Sequence, residues 1–341
     1  MLGHFSSLIN LTIFLLFCSF LNGCKDLGTP VKEKPPCPSI RTLPQSPYGV
    51  PIWHPSGGFL GFNYTPIERI EYPYGEHCQG RYFWKYDSMG FWLINSDGTN
   101  MRRVSSPLDE PAWSPDGQWI AFVSQGQIFK MRFLGAAFDT TSAIQLTSVG
   151  NNFSPAWTPD GRWIAYDRPL ADSSGPGGIW LMRSDGTWRR SLFGAAFPTW
   201  HPNNEIILGA VGTSSTSIWT RFLRYDVTRS VTLGILDAVV GNDNRNPRYS
   251  PDGTKIAFSS KPSQGNGNIW VMNSNGSNLR QLTIEGSTTG LSWNPDGRKI
   301  AYVSYRFTDW SYANGTIWTI DVETGENTQL TSNHPQTRSS S

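Results

Sequence analysis

Charge is scarce in this chain and nearly cancels: 16% of its 341 residues are Asp, Glu, Lys or Arg, and 28 basic against 26 acidic side chains leave a formal +2. Neither sign gathers into a block, which excludes the electrostatic footprint of a nucleic-acid binder. Neither H-E-x-x-H nor a G-x-S-x-G elbow occurs, so the sequence offers no catalytic residues, metal site or cofactor motif of those kinds. Only five histidines are present. His4 falls in the leader, His334 in the tail, and His54 and His201 in turns, which leaves His77. The apolar run Leu8 to Leu21 is too short for a typical membrane-spanning helix. What the chain has in quantity is glycine, 34 residues, with 38% hydrophobic residues. That balance points to a turn-rich β protein with a large core.

The run Leu8 to Leu21 has the length of a signal-peptide core, so residues 1–23 are set apart from the fold. It ends in Leu21-Asn22-Gly23-Cys24, which resembles the lipobox of bacterial lipoproteins. That resemblance implies cleavage before Cys24 and lipid on its thiol; the other reading is an ordinary secretory signal. Lys25 after the cysteine is similar to the pattern of outer-membrane sorting, facing the periplasm or the cell surface. Lipid would then be the chain's one hold on a membrane. Residues 24–40, rich in proline and lysine, read as a tether. Cys37 and Cys78 remain in the exported chain, either bridged in an oxidising compartment or as two thiols.

From about residue 41 one phrase recurs: Trp53-His-Pro-Ser-Gly57, Trp113-Ser-Pro-Asp-Gly117, Trp157-Thr-Pro-Asp-Gly161, Trp200-His-Pro-Asn-Asn204, Tyr249-Ser-Pro-Asp-Gly253 and Trp293-Asn-Pro-Asp-Gly297. The aromatic positions lie 60, 44, 43, 49 and 44 residues apart, a period of propeller blades. An apolar run follows each phrase (IAFVS from 120, IAYD from 164, IAFSS from 256, IAYVS from 300), then a variable loop. A second run comes next (FWLIN from 91, IWLMR from 179, IWVMN from 269, IWTID from 317), then a Gly-bearing turn and a short strand such as Arg280-Gln-Leu-Thr283. Four short strands per unit make one antiparallel sheet. The spacing therefore predicts an all-β, six-bladed propeller of four-stranded blades over residues 41–331, with a disordered tail at 332–341.

The phrase W-x-P-D-G-x-x-I-A-[FY], followed by I-W-x-[MI] and a D-G turn, resembles the TolB-like β-propeller repeat of bacterial envelope proteins. The resemblance covers the propeller region and implies a module that docks an envelope protein or a peptidoglycan-associated partner, with no reaction of its own. TolB itself carries an α/β domain ahead of its propeller, where this chain has the tether, so the likeness is to the repeat and not to TolB as a whole.

Proline, aspartate and glycine in the phrase have turn roles, so Asp116, Asp160, Asp252 and Asp296 are read as turn formers. Trp113, Trp157, Trp200 and Trp293 are read as wedges between blades. Both hairpin turns of a blade fall on one face, and the variable loops collect on the other: Asn63 to Gly90, Arg168 to Gly178, Gly209 to Ser217, Lys261 to Asn268 and Tyr305 to Gly315. Variable loops on a rigid scaffold are where binding concentrates. The first and last are aromatic: Tyr72, Tyr74, Tyr82, Trp84 and Tyr86, and Tyr305, Trp310 and Tyr312, with His77, Arg81 and Arg306 nearby. Blades one and six adjoin when the ring closes, which sets both clusters on one rim. They fit a protein-binding hot spot, a carbohydrate or small-ligand receptor, or a miniature core of the insertion. Arg248 stands where Ala112, Ala156, Thr199 and Ser292 are small; it either binds an anion in the channel, where a hydrolase or lyase site could also sit, or is a solvated arginine or the partner of a neighbouring carboxylate. Asn327 to Leu330 is expected to supply the outer strand of blade six, leaving residues 38–43 at an edge.

Overall fold

The computed structural model describes residues 46–71, 81–169, 176–213, 218–237, 243–261, 267–284, 289–304 and 315–332. These form six four-stranded antiparallel sheets and one extra hairpin. Blade one consists of β1 (Ile52–Trp53), β2 (Phe59–Tyr64), β5 (Gly90–Asn95) and β6 (Arg102–Ser105). Between β2 and β5 the chain makes a separate hairpin, β3 (Ile67–Glu71) with β4 (Arg81–Trp84). Blade two is β7 (Asp109–Trp113), β8 (Trp119–Ser124), β9 (Gln127–Phe133) and β10 (Phe138–Gln145). Blade three is β11 (Phe153–Trp157), β12 (Trp163–Arg168), β13 (Gly178–Arg183) and β14 (Arg189–Phe193). Blade four is β15 (Ala196–Trp200), β16 (Ile206–Thr213), β17 (Ile218–Asp226) and β18 (Val231–Leu236). Blade five is β19 (Asp243–Tyr249), β20 (Lys255–Lys261), β21 (Asn268–Asn273) and β22 (Arg280–Gln281). Blade six is β23 (Thr289–Trp293), β24 (Lys299–Ser304), β25 (Thr316–Asp321) and β26 (Asn327–Gln329). The first strands touch in a cycle, β1 to β7, β11, β15, β19, β23 and back to β1, so the six sheets close a ring. No helix among the described residues is long and apolar enough to cross a membrane.

Each turn follows from its residues. Ser114 Oγ donates to Asp116 Oδ1 at 2.5 Å, Gln118 N–H donates to the same oxygen at 3.0 Å, and Gly117 takes φ 67°. Asp160, Asp252 and Asp296 accept in the same way from residues 162, 254 and 298. These carboxylates are committed to their turns. The degenerate fourth copy keeps the geometry by substitution: Asn203 Oδ1 accepts from Glu205 N–H at 3.0 Å, and Asn204 adopts the φ of 60° that glycine supplies elsewhere. Ser184 N–H donates to Arg162 O and Ser274 N–H to Thr254 O, so the two hairpin turns of a blade lie side by side on one face. The Gln-Leu-Thr triplet that ends a blade has its own task. Thr147, Thr283 and Thr331 Oγ1 accept from the amides of Ile128, Ile269 and Ile317, at 2.8 to 2.9 Å, satisfying the start of the third strand.

The wedges knit blade to blade. Trp157, Trp200 and Trp293 donate their indole N–H groups to the carbonyls of Ala112, Ala156 and Arg248 in the preceding blade, at 3.1, 3.1 and 3.0 Å. Each sits in a seam of apolar side chains: Trp293 packs among Val271, Leu291, Ile300 and Ile320, all buried. Among the described residues, noncovalent contacts close the seam between blades six and one. Trp53 N–H donates to Ser292 Oγ at 3.0 Å, and Tyr48 stacks on Tyr64 with ring centroids 4.6 Å apart. The outer strand of blade six is β26, paired to β25 through Trp318 and Gln329, as expected for the C-terminal copy. One expected loop is shorter than read from the sequence. The residues from Gly209 belong to β16, which runs on to Thr213 in register with β17, because Gly209 and Ala210 pair with Leu223 and Phe222 inside the sheet.

Candidate functional site

The hairpin β3–β4 is an addition to a complete blade, and a two-stranded ribbon needs packing on something to be stable. Its register sets Ile67 opposite Trp84, Arg69 opposite Phe83 and Glu71 opposite Arg81. Alternation then sends Tyr82 and Trp84 to one side, with ring centroids 6.2 Å apart, and Phe83 to the other. The Arg69 guanidinium lies 3.7 Å from the centre of the Phe83 ring and bonds Glu71 at 3.1 Å, while the Arg81 guanidinium lies 5.1 Å from the same ring. Tyr82, Phe83 and Trp84 are all half-buried, and Tyr86, in the short 3-10 turn after β4, is 67% exposed. The insertion thus packs part of each ring and leaves the rest at the surface. Tyr72, Tyr74, His77 and Cys78 lie outside the described residues, as do Tyr305, Arg306, Trp310 and Tyr312 of the other cluster, and Cys24 and Cys37.

Arg248 belongs to a second constellation, in the channel. At its position in blades six and four, short side chains bond the next blade: Ser292 Oγ accepts from the Trp53 backbone N–H, and Thr199 Oγ1 from the Tyr249 backbone N–H at 3.4 Å. An arginine is too long for that role. Arg248 donates to Pro247 O at 2.9 Å and is in the electrostatic field of Glu110 and Asp167, which belong to blades two and three on the far side of the ring. Burial lowers the guanidinium's pKa, and the two carboxylates oppose that shift.

Both carboxylates are held by the same backbone device. Three residues before the blade aromatic, the inner strand bulges and one residue takes a left-handed φ: Glu110 at 47°, Ser154 at 51°, Phe197 at 55°, Asn246 at 52° and Gly290 at 65°. The register of each inner strand shifts there. The bulge turns an amide toward the preceding blade, so Ser154 N–H donates to Glu110 Oε2 and Phe197 N–H donates to Asp167 Oδ2 at 2.7 Å. Asp167 is 6% exposed. Burial pushes its carboxyl up to about 6, with Glu110 adding to the rise, while the Phe197 amide, Ser154 and Arg248 pull the other way. Burial wins because a carboxylate in a confined channel loses more hydration than one short N–H bond returns.

Neither Glu110 nor Asp167 was picked out by motif. A signal existed for Asp167: in the aligned apolar runs it replaces Val123, Ser259 and Val303. Glu110 had none, since its place in the repeat is filled by Ser, Phe, Asn or Gly. Among the described residues, no group of three or more His, Cys, Asp or Glu could hold a metal ion.

No family model matches the chain. An uncharacterized protein of Agrobacterium fabrum strain C58 is 27% identical over 205 residues, which is 58% of this chain and 66% of that protein. The crystal structure of TolB from Acinetobacter baumannii superimposes with a TM-score of 0.58 at 19% identity, covering 83% of this chain and 62% of that one. A puromycin-hydrolyzing peptidase of Mycobacterium tuberculosis superimposes with a TM-score of 0.54 at 14% identity, covering 84% of this chain and 54% of that one. The chain therefore spans less than two thirds of the length of these relatives. One fold thus serves proteins of different activity, and the fold alone does not decide between binding and chemistry. By its architecture, the chain has a six-bladed β-propeller fold similar to that of the TolB structure.

Proposed function

We propose that this propeller is a non-catalytic docking module of the bacterial cell envelope, held as an outer-membrane lipoprotein by lipid on Cys24. Its partner is an envelope protein or a peptidoglycan-associated partner, and the binding face is the variable-loop rim of blades one and six. The observation that carries the reading is the inserted hairpin, which adds half-buried Tyr82, Phe83 and Trp84 and exposed Tyr86 to a blade already complete without it. Aromatic side chains on a rigid support, flanked by Arg69 and Arg81, have the composition of interface hot spots. Tyr72, Tyr74, His77, Tyr305, Arg306, Trp310 and Tyr312 extend the same face on this reading.

The test is retention of envelope proteins by the immobilised soluble domain. Tyr86→Ala together with Trp84→Ala is expected to reduce retention at least tenfold while the melting temperature moves by no more than a few degrees. Retention unchanged at unchanged stability would remove the hairpin from the binding face. Anchoring has a separate test: Cys24→Ser is expected to move the protein from the membrane to the soluble fraction, and an unaltered distribution would end the lipid reading.

A second reading has its own observation. Asp167 and Glu110 face Arg248 in a channel, and a carboxyl whose pKa is raised to about 6 is suited to proton transfer near neutral pH. A receptor for carbohydrate or another small ligand, or a hydrolase or lyase at the channel mouth, would use these groups. On the leading reading Arg248 is the counter-charge that keeps two channel carboxylates in place. Screening the domain against ester, glycoside and peptide substrates separates the two, since turnover abolished by Asp167→Asn would favour chemistry.

A further inference from the structure

The regular face, where only turns lie, carries a cleft of about 440 Å³ at the seam of blades two and three. One residue sets this seam apart from those that follow blades one, three and five. On the third strand of each blade, the residue paired with the small or apolar centre of the second strand faces the next seam: Leu93, Lys130, Leu181, Arg224, Val271 and Thr319. Leu93, Leu181 and Val271 fill their seams as buried apolar side chains. Lys130 cannot. Its stem runs along the seam and its ammonium rises to the surface, donating to Ser184 O of blade three at 2.7 Å and lying 4.8 Å from the centre of the Trp119 ring. Burial lowers the Lys130 pKa and the charge of Asp185 opposes the shift. The cleft is lined by this lysine together with Trp119 and Trp157.

The walls of this cleft have a defined chemistry. Two half-buried indoles supply flat apolar surface. Asp116 and Asp160 each spend Oδ1 on their own turn, and Oδ2 of Asp160 also pairs with Arg162 Nε at 3.9 Å. Lys130 has three N–H groups, and one is taken by Ser184 O. Apolar platforms beside both acceptors and a donor match a pyranose, which has a C–H face and a hydroxyl edge. The charges of Lys130 and of Arg162, which pairs with Asp160, balance those of Asp116 and Asp160, which favours a neutral ring over an ionic one. Enclosed volumes of about 300–1,000 Å³ are usual for small-molecule sites, so a mono- or disaccharide fits.

We propose that the seam of blades two and three is a binding site for a neutral sugar, with Trp119 as stacking platform and Lys130 and Asp116 as hydroxyl ligands. It lies on the face opposite the docking rim and does not depend on that reading. The experiment titrates the full chain with glucose, N-acetylglucosamine, galactose and maltose, with glucuronate and glucosamine as charged controls, and follows tryptophan fluorescence and calorimetric heat. At least one neutral sugar is expected to bind saturably and at least tenfold more tightly than its charged counterpart. Lys130→Leu, which restores the seam residue of blades one and three, is expected to abolish binding and to raise the melting temperature. Trp119→Ala is expected to weaken binding at least tenfold with the fold intact by circular dichroism. Tyr86→Ala, on the distant hairpin, is expected to leave the affinity within twofold. No saturable binding by any neutral sugar overturns the proposal, and so does binding retained in Lys130→Leu or in folded Trp119→Ala. A Lys130→Leu protein that melts earlier and still binds would make the lysine a structural strap only.

Discussion

Trp293→Ala is expected to lower the stability of the propeller by about 4 kcal/mol, the range for removing a large buried aromatic and leaving a partly uncollapsed cavity. The indole is 8% exposed and packs among Leu291, Ile300, Ile320 and Val271 at the seam of blades five and six. Its N–H also donates to Arg248 O at 3.0 Å, so truncation leaves a carbonyl without its cross-blade donor. Such a loss adds roughly 1 kcal/mol. The two contributions separate with phenylalanine. Trp293→Phe keeps most of the packing and loses the bond, whereas Trp113→Phe should lose packing alone, because the Trp113 N–H has no acceptor among the described residues. Unfolding free energies of the two Phe variants from denaturant titration are expected to differ by about 1 kcal/mol in favour of Trp113→Phe. Equal losses would mean that the stitch between blades carries no net stability.

Asp167→Asn is expected to make the protein more stable at neutral pH, by up to about 3 kcal/mol, and to leave stability near pH 4 unchanged. The sign follows from the raised pKa. In the unfolded chain the carboxyl ionises near its ordinary value of 3.8, and in the folded ring burial delays ionisation to about 6. Between those values the folded state binds more protons than the unfolded one, so stability falls as pH rises from about 4 to 6. Above 6 the full cost is present, and below 4 none of it. An asparagine is the same size, stays neutral, and its Oδ1 can still accept from the Phe197 amide. Melting temperatures of the two proteins, followed from pH 4 to 8, should start together and diverge through pH 5 to 6. Parallel curves would show that Arg248 holds Asp167 ionised throughout. A gain at pH 7 would also mark Asp167 as a group whose placement costs stability, as groups kept for binding or chemistry often are.

Much of the architecture was legible because a propeller repeats its reasons. A turn former recurs wherever a first hairpin turns, and a large aromatic recurs wherever two blades meet, so the same few local requirements are written once per blade at a spacing near 44 residues. Even the departures were readable: Asn203 and Asn204 do what Asp and Gly do elsewhere, because asparagine both caps amides and tolerates positive φ. The aromatic insertion was visible as a break in the period, and the structure adds that it is a hairpin with Arg69 laid on Phe83.

Arg248 was legible as an exception in the repeat, but the carboxylates that face it and the seam cleft were not, for a common reason. Arg248, Glu110 and Asp167 come from three blades and are brought together by the ring, and a repeat describes each blade without saying what faces it across the axis. The left-handed bulge that aims the Phe197 amide at Asp167 is occupied by Glu, Ser, Phe, Asn and Gly, a set without a shared chemical signature. Lys130 likewise reads as one more polar residue on a strand until its neighbours at the same register prove to be Leu93 and Leu181. The sequence by itself determined the blade, its turns, its wedges and the count of six, because those depend on contacts within about 45 residues or between identical neighbours. Tertiary structure alone decided which charges meet across the channel and which seam stays open, because those depend on the closure of the ring and on single residues that break the repeat.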